Sequence, residues 1–115
     1  MIVVDEIVEY PAAMTTDKGL PGRHWCHLQS TDQTAVGERE LLAFGRRIGM
    51  QARWLQYPGM PGRVHFDLTP IKRAEAVEAG AIEIAGYAYT RARLTGPAAL
   101  AEYVAMLPPV DQRPE

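Results

Sequence analysis

Covalent staples are almost missing from this chain. It holds one cysteine, Cys26, in 115 residues. That excludes an intrachain disulfide framework and a cysteine-rich zinc site, and the expected compartment is a reducing cytoplasm. No apolar run approaches the roughly 20 residues of a membrane span, so no membrane partner is expected. The stretch Ile2-Val3-Val4-Asp5 carries no basic flank, so no signal peptide is expected there. Charge of one sign is missing as well: 12 Lys and Arg face 14 Asp and Glu, a net charge of −2. Nothing global therefore draws the chain to duplex nucleic acid or to an anionic surface.

What is present is ordinary for one globular domain: 47% hydrophobic and 23% charged residues, enough for a single core and too apolar for wholesale disorder. The densest polar chemistry lies in Val64 to Ile84. Val64, Phe66 and Leu68 alternate with His65 and Asp67, so a strand here turns the apolar three to a core and the polar pair to the opposite face. Thr69-Pro70 reads as N-cap and first helical residue. Ile71, Ala74 and Val77 make the expected apolar stripe, Gly80 the stop, and Ala81 to Ile84 the next strand. Lys72 and Arg73 are the oddity. They stand in a first helical turn, where cations are disfavoured by about 0.3–1 kcal/mol each. An anion at that N-terminus would remove the oddity; so would water, or pairing with Glu75, Glu78 or another acid.

The remaining elements follow from similar signals. Ile2 to Val4 reads as a buried strand with Asp5 and Glu6 at its end, where α/β folds collect functional acids. Tyr10 to Arg23 reads as a long loop. His24 to Gln29 is a strand with Trp25, His27 and Gln29 on one face and Cys26 and Leu28 on the other. A helix then runs to about Ile48 on a stripe of Leu41, Phe44, Gly45 and Ile48, closed by Gly49; Gly37 argues for a start as late as Glu38. Ala52 to Tyr57 is expected as a strand, with Arg53 and Leu55 opposite Trp54 and Gln56. Pro58 to Gly62 is a loop. Beyond Gly86, Tyr87, Tyr89, Arg91 and Arg93 alternate with Ala88, Thr90, Ala92 and Leu94, which reads as an edge strand. A last helix starts near Pro97 with Leu100, Tyr103, Val104 and Leu107, and Pro108-Pro109 and a polar tail end the chain. The expected architecture is a single small α/β domain of about five strands, two packed helices and an appended C-terminal helix, with residues 1–86 as the core and 87–115 as an extension on it.

Seven short motifs occur in order: Val3-Val4-Asp5, Cys26-His27-Leu28, Glu40-Leu41 with Phe44 and Arg47-Ile48-Gly49, Trp54-Leu55-Gln56, His65-Phe66-Asp67-Leu68, Lys72-Arg73-Ala74 and Gly80-Ala81-Ile82-Glu83-Ile84. Together they resemble an uncharacterised bacterial and phage family, a domain of unknown function (family forty thirty-one). The resemblance covers Ile2 to Ile84 and makes the part after Gly86 an addition. It departs at Glu6, where the family has a second Asp, and at Leu42, where it has a His. It implies a fold unit and a shared polar set, and no activity.

The polar residues at strand ends or opposite apolar faces are Asp5, His27, Arg53, His65, Asp67, Lys72 and Arg73, with Trp25 and Trp54 as stacking walls. One reading is a phosphate-bearing ligand, a nucleotide or a nucleic-acid end. Lys72, Arg73 and the helix N-terminus would hold the phosphate. His65 or His27 would act as general acid or base, oriented by Asp67 or Asp5. The same acids and histidines admit a divalent metal and a metal-assisted phosphoester hydrolase. The other reading is a non-catalytic interaction module. Its stripe Tyr87, Tyr89, Arg91, Arg93 suits single-stranded nucleic acid, a protein partner, or a homodimer through the edge strand. Beside both stands the plain reading, in which the histidines are satisfied strand residues, the tryptophans belong to the core and the stripe is a solvated face.

Overall fold

The computed structural model describes residues 1–9 and 24–108; the loop expected over Tyr10 to Arg23 and the tail from residue 109 lie outside them. Five strands form one sheet: β1 (Ile2–Val4), β2 (Val8–Glu9), β3 (His24–Ser30), β4 (Phe66–Leu68) and β5 (Ile82–Glu83). Strand β3 is the hub. It pairs antiparallel with β1, β2 and β4, while β5 joins β1 in parallel. The expected α/β class and strand number hold. Among the described residues, the parallel pairing expected of a strand–helix–strand order is realised only between β1 and β5.

Helices α1 (Ala35–Arg47) and α2 (Pro70–Glu78) pack on one face. There Ile2, Val4, Cys26, Leu28, Phe66 and Leu68 from the strands meet Leu41, Phe44, Ile48 and Ala76. Both helices begin on a capping side chain: Thr34 Oγ1 accepts from the Val36 N–H, and Thr69 Oγ1 from the Lys72 N–H. Gly37 does not delay α1. It is there because a Cβ would lie 1.8 Å from the Asp32 carbonyl oxygen. On the other face α3 (Gly86–Thr95) and α4 (Pro97–Ala105) cover β1 and β5, with Tyr89 and Leu100 against Val3, Ile82 and Ile84. Strand β1 is thus buried on both sides, which its unbroken Ile-Val-Val run requires.

Three expectations are corrected. The stretch from Ala52 is not a strand but a 3-10 turn over Ala52–Trp54, and only Gln56 bridges to a strand neighbour, His65. The alternating run after Gly86 is helix α3, not an edge strand, so the dimer through that edge loses its basis. A period of two and a period of 3.6 are hard to separate over eight residues. In a helix, positions two apart lie roughly 200° round the axis, so Tyr89 is 1% exposed and Tyr87 78%. The buried side of α2 is also rotated from the expected stripe: Ile71 is 75% exposed and Ala74 is exposed, while Ala76 is buried and Lys72, Arg73 and Val77 are half-buried. No helix among the described residues is long and apolar enough to cross a membrane.

Candidate functional site

The register of β3 on β4 creates a polar cluster. His27 stands directly opposite Asp67, Leu28 opposite Phe66 and Cys26 opposite Leu68. Paired residues share a face, so the apolar pairs enter the core and the polar pair faces the other way. His65, two residues before Asp67, joins that face, held by its bridge to Gln56. Asp5, just past β1, reaches the same place.

The cluster is tightly oriented. Asp5 grips His27 twice: its Oδ1 accepts from the His27 backbone N–H at 2.6 Å, and its Oδ2 lies 2.8 Å from His27 Nδ1. His65 Nδ1 lies 2.7 Å from the Arg63 carbonyl oxygen. Both of these partners only accept, so each ring carries its proton on Nδ1 and turns its Nε2 toward Asp67. Asp67 is 5% exposed, and its Oδ1 stands 3.3 Å from His65 Nε2 and 3.9 Å from His27 Nε2. The two rings meet edge to face, with centroids 5.0 Å apart. Three potential ligand atoms, all within 4.8 Å of one another, therefore converge. A cation there would take both imidazole lone pairs and the carboxylate as ligands. In a tetrahedral site with 2.0–2.1 Å bonds, ligand atoms stand roughly 3.3–3.4 Å apart, so a bound ion would draw a triangle whose atoms now lie up to 4.8 Å apart inward by about 1.4 Å at most.

Behind the cluster Cys26 is sealed. Burial, helped by the charge of Asp5, pushes its thiol from 9.0 up to about 12, against the opposing pull of Arg73. It is no nucleophile in this state. In front of the cluster lies an open cleft of about 470 Å³, bordered by the sheet face, the Gly62-Arg63 corner and helix α3. That helix comes close: a Cβ on Gly86 would stand 3.1 Å from Asp5 Oδ2, and the Gly86 N–H donates to Glu6 Oε2 at 2.8 Å.

The expected site residues separate into two groups. Asp5, His27, His65 and Asp67 come together. Lys72 and Arg73 do not join them at an open helix N-terminus. Lys72 Nζ donates to the Ile48 carbonyl at 2.5 Å and to Glu75 at 2.8 Å. Arg73 Nε donates to the Asp5 carbonyl at 2.8 Å, and its Nη1 to Glu83 at 3.0 Å. Their presence in a first turn needs no bound anion, because protein oxygens already satisfy them. Trp25 is 1% exposed and shows no face for stacking. Arg53 and Trp54 lie in the 3-10 turn and do not line the cleft. Arg63, Tyr57, Glu6 and Gly86 border the cleft and did not stand out in the sequence as site residues; Arg93 did, but for another surface. Only the nearness of Arg63 to His65 could have flagged it.

The family model described as a protein of unknown function (DUF4031) matches residues 13–95. The chain belongs to this family. The match includes α3, which the sequence motifs left out, and it begins after Asp5, Glu6 and Val8, which also border the cleft. No curated protein and no solved structure matches the chain. Membership in the DUF4031 family brings no activity with it, so the chemistry has to be argued from the side chains.

Proposed function

We propose that the chain binds one divalent transition metal through His27 Nε2, His65 Nε2 and Asp67 Oδ1, and uses it on a phosphate-bearing ligand, as a phosphoester hydrolase. The observation that carries the reading is the orientation of the two rings. Asp5 and the Arg63 carbonyl fix both Nδ1 protons, and both Nε2 lone pairs then converge on one carboxylate. This is the arrangement in which outer partners orient metal-binding imidazoles and raise their basicity. Two imidazoles and a carboxylate suit zinc, manganese or iron(II), and three protein ligands leave positions for water and substrate.

A metal held by His27, His65 and Asp67 would supply an activated water near neutral pH and Lewis-acid polarisation of a phosphoryl oxygen. The protein's own part is positional. Asp5 keeps His27 in the binding tautomer, the β3–β4 register holds His27 and Asp67 opposite each other, and Glu6 holds the start of α3 against the cleft. The phosphate part of the reading is supported by the two arginines, Arg63 and Arg93, that border the same cleft as Asp5 and Glu6.

The test is calorimetric titration of the chelator-treated protein with zinc, manganese and iron(II), followed by turnover of p-nitrophenyl phosphate and its diester. One equivalent of metal is expected, lost in His65→Ala and in Asp67→Asn while both variants still melt cooperatively. Absence of binding at millimolar metal, or undiminished binding in both variants, would sink the metal reading. Metal binding without phosphoester turnover would sink the hydrolase.

A further inference from the structure

The cleft has a second wall, and one cation on it is conspicuous. Lys72 and Arg73 find oxygen partners within the protein, and so does Arg47, whose Nη2 donates to the Ala79 carbonyl at 3.3 Å. Arg93 differs. Its Nε is buried with no hydrogen-bond partner, and no acid among the described residues forms an ion pair with it. Helix α3 nevertheless carries it to the border of the cleft. Its head lies beside Gly62: a Cβ there would come 3.5 Å from Arg93 Nη1, an ordinary contact distance. Arg63, next along that corner, lies with its guanidinium 4.4 Å above the Tyr57 ring, and that ring leans on His65 with centroids 5.9 Å apart. Two guanidinium groups thus border the same cleft as the histidine–aspartate cluster.

A buried guanidinium nitrogen without an acceptor is costly, and proteins rarely keep one without a use. The planar fork of arginine matches the oxygens of a phosphate two at a time, and two such cations suit a dianion better than a singly charged carboxylate. We infer that Arg93, assisted by Arg63, is the residue that recognises the phosphate group of the ligand, so that α3 reads the substrate while the sheet holds the reacting end. The inference shares its cleft with the metal reading above and is separable from it.

Calorimetry with inorganic phosphate tests it, on the full chain, in chelator-treated buffer and again with manganese, with acetate as the competing anion. The wild-type protein is expected to bind phosphate in preference to acetate. Arg93→Met should weaken phosphate by at least roughly tenfold, the scale of one lost charge-assisted contact, with manganese affinity unchanged. Arg93→Lys keeps the charge and the stem without the fork, and guards against a folding defect. A native melt with weakened phosphate binding supports the inference; a native melt with wild-type phosphate binding overturns it. Equal preference for acetate, or a wild-type protein that takes manganese but no phosphate, also overturns it and leaves the metal site standing. Phosphate binding that depends on Arg93 without any metal binding upholds the inference and removes the metal reading instead.

Discussion

Replacing Asp5 by Asn separates a positioning role from a structural one. The amide oxygen of Asn can still accept from the His27 backbone N–H, now 2.6 Å from Asp5 Oδ1. Its NH₂ group must then face His27 Nδ1, where Asp5 Oδ2 sits at 2.8 Å. A donor in that place moves the ring proton to Nε2, directed at Asp67 Oδ1 3.9 Å away. Without metal the exchange loses one charge-assisted contact and gains a better-matched approach to Asp67. The metal-free variant should therefore stay within about 1 kcal/mol of the parent. With metal the proton sits where the ligand lone pair must be, and affinity should fall by roughly 10- to 100-fold, the usual effect of removing an outer partner.

A thermal melt turns this into numbers. For 115 residues at about 2.1 cal/mol/K per residue, unfolding entropy is about 0.24 kcal/mol/K. Metal at one hundred times its dissociation constant stabilises by about 2.7 kcal/mol, a rise of about 11 °C. At the same concentration Asp5→Asn would have a tenfold to onefold excess, worth about 1.4 to 0.4 kcal/mol, a rise of about 6 to 2 °C. Melts with and without zinc or manganese read both quantities. A metal-dependent rise as large as that of the parent would refute the tautomer reasoning. A large loss of stability without metal, with the remaining metal shift intact, would make Asp5 a structural residue only.

Three further outcomes follow from the packing. Lys72→Met should cost about 0.5–2 kcal/mol in urea denaturation, because the Ile48 carbonyl and Glu75 lose their donor, while phosphate affinity by calorimetry stays at the parent value; a loss of phosphate binding would return Lys72 to the anion site. Gly45→Ala should destabilise by up to about 2 kcal/mol: the added methyl would stand 2.6 Å from Phe66 Cε2, and overpacking of about 1–3 kcal/mol outweighs a helix-propensity gain of about 1 kcal/mol. A higher urea midpoint for this variant would show that the ring has room to move. Burial raises Cys26 from 9.0 to about 12 and Tyr89 from 10.0 to about 12. The folded state then holds protons that the unfolded state releases, so stability is complete below pH 9 and falls as pH rises from 9 through 12, by roughly 4 kcal/mol for the thiol alone. Denaturation midpoints that stay flat between pH 9 and 11 would contradict this.

Much of the fold could be read from the chain because local signals agreed with tertiary demands. Thr69-Pro70 caps α2, the stripe of Leu41, Phe44, Gly45 and Ile48 fixes the buried side of α1, and Ile-Val-Val is buried on both faces. The failures have one physical source: patterns too short to carry a period. Ala52 to Tyr57 alternates as a strand would, yet only Gln56 finds a ladder partner. Tyr87 to Leu94 alternates too, but Ala88, Arg91, Ala92, Arg93 and Leu94 favour helix, and burying Tyr89 against Val3 and Ile82 settles the matter. The rotation of α2 was invisible for another reason. Its buried side includes the aliphatic stems of Lys72 and Arg73, which cover apolar surface while their heads reach oxygens.

The candidate site was half legible for the same reason. His65 and Asp67 share a face by spacing alone, and the strand reading of His24 to Gln29 puts His27 opposite the core. Their meeting depends on the β3–β4 register, a contact across forty residues that no local pattern encodes. The cations show the point in reverse. Lys72 and Arg73 drew notice because they break a helix rule, and they prove to be satisfied by carbonyls and acids of their own fold. Arg93 broke no rule in the sequence, where it looked like one residue of a solvated stripe. It becomes conspicuous only once α3 exists, because the same helix that buries Tyr89 carries Arg93 Nε out of water without giving it an acceptor. A cation that is anomalous in sequence and satisfied in structure points to packing; one that is ordinary in sequence and unsatisfied in structure is the place to test for a ligand.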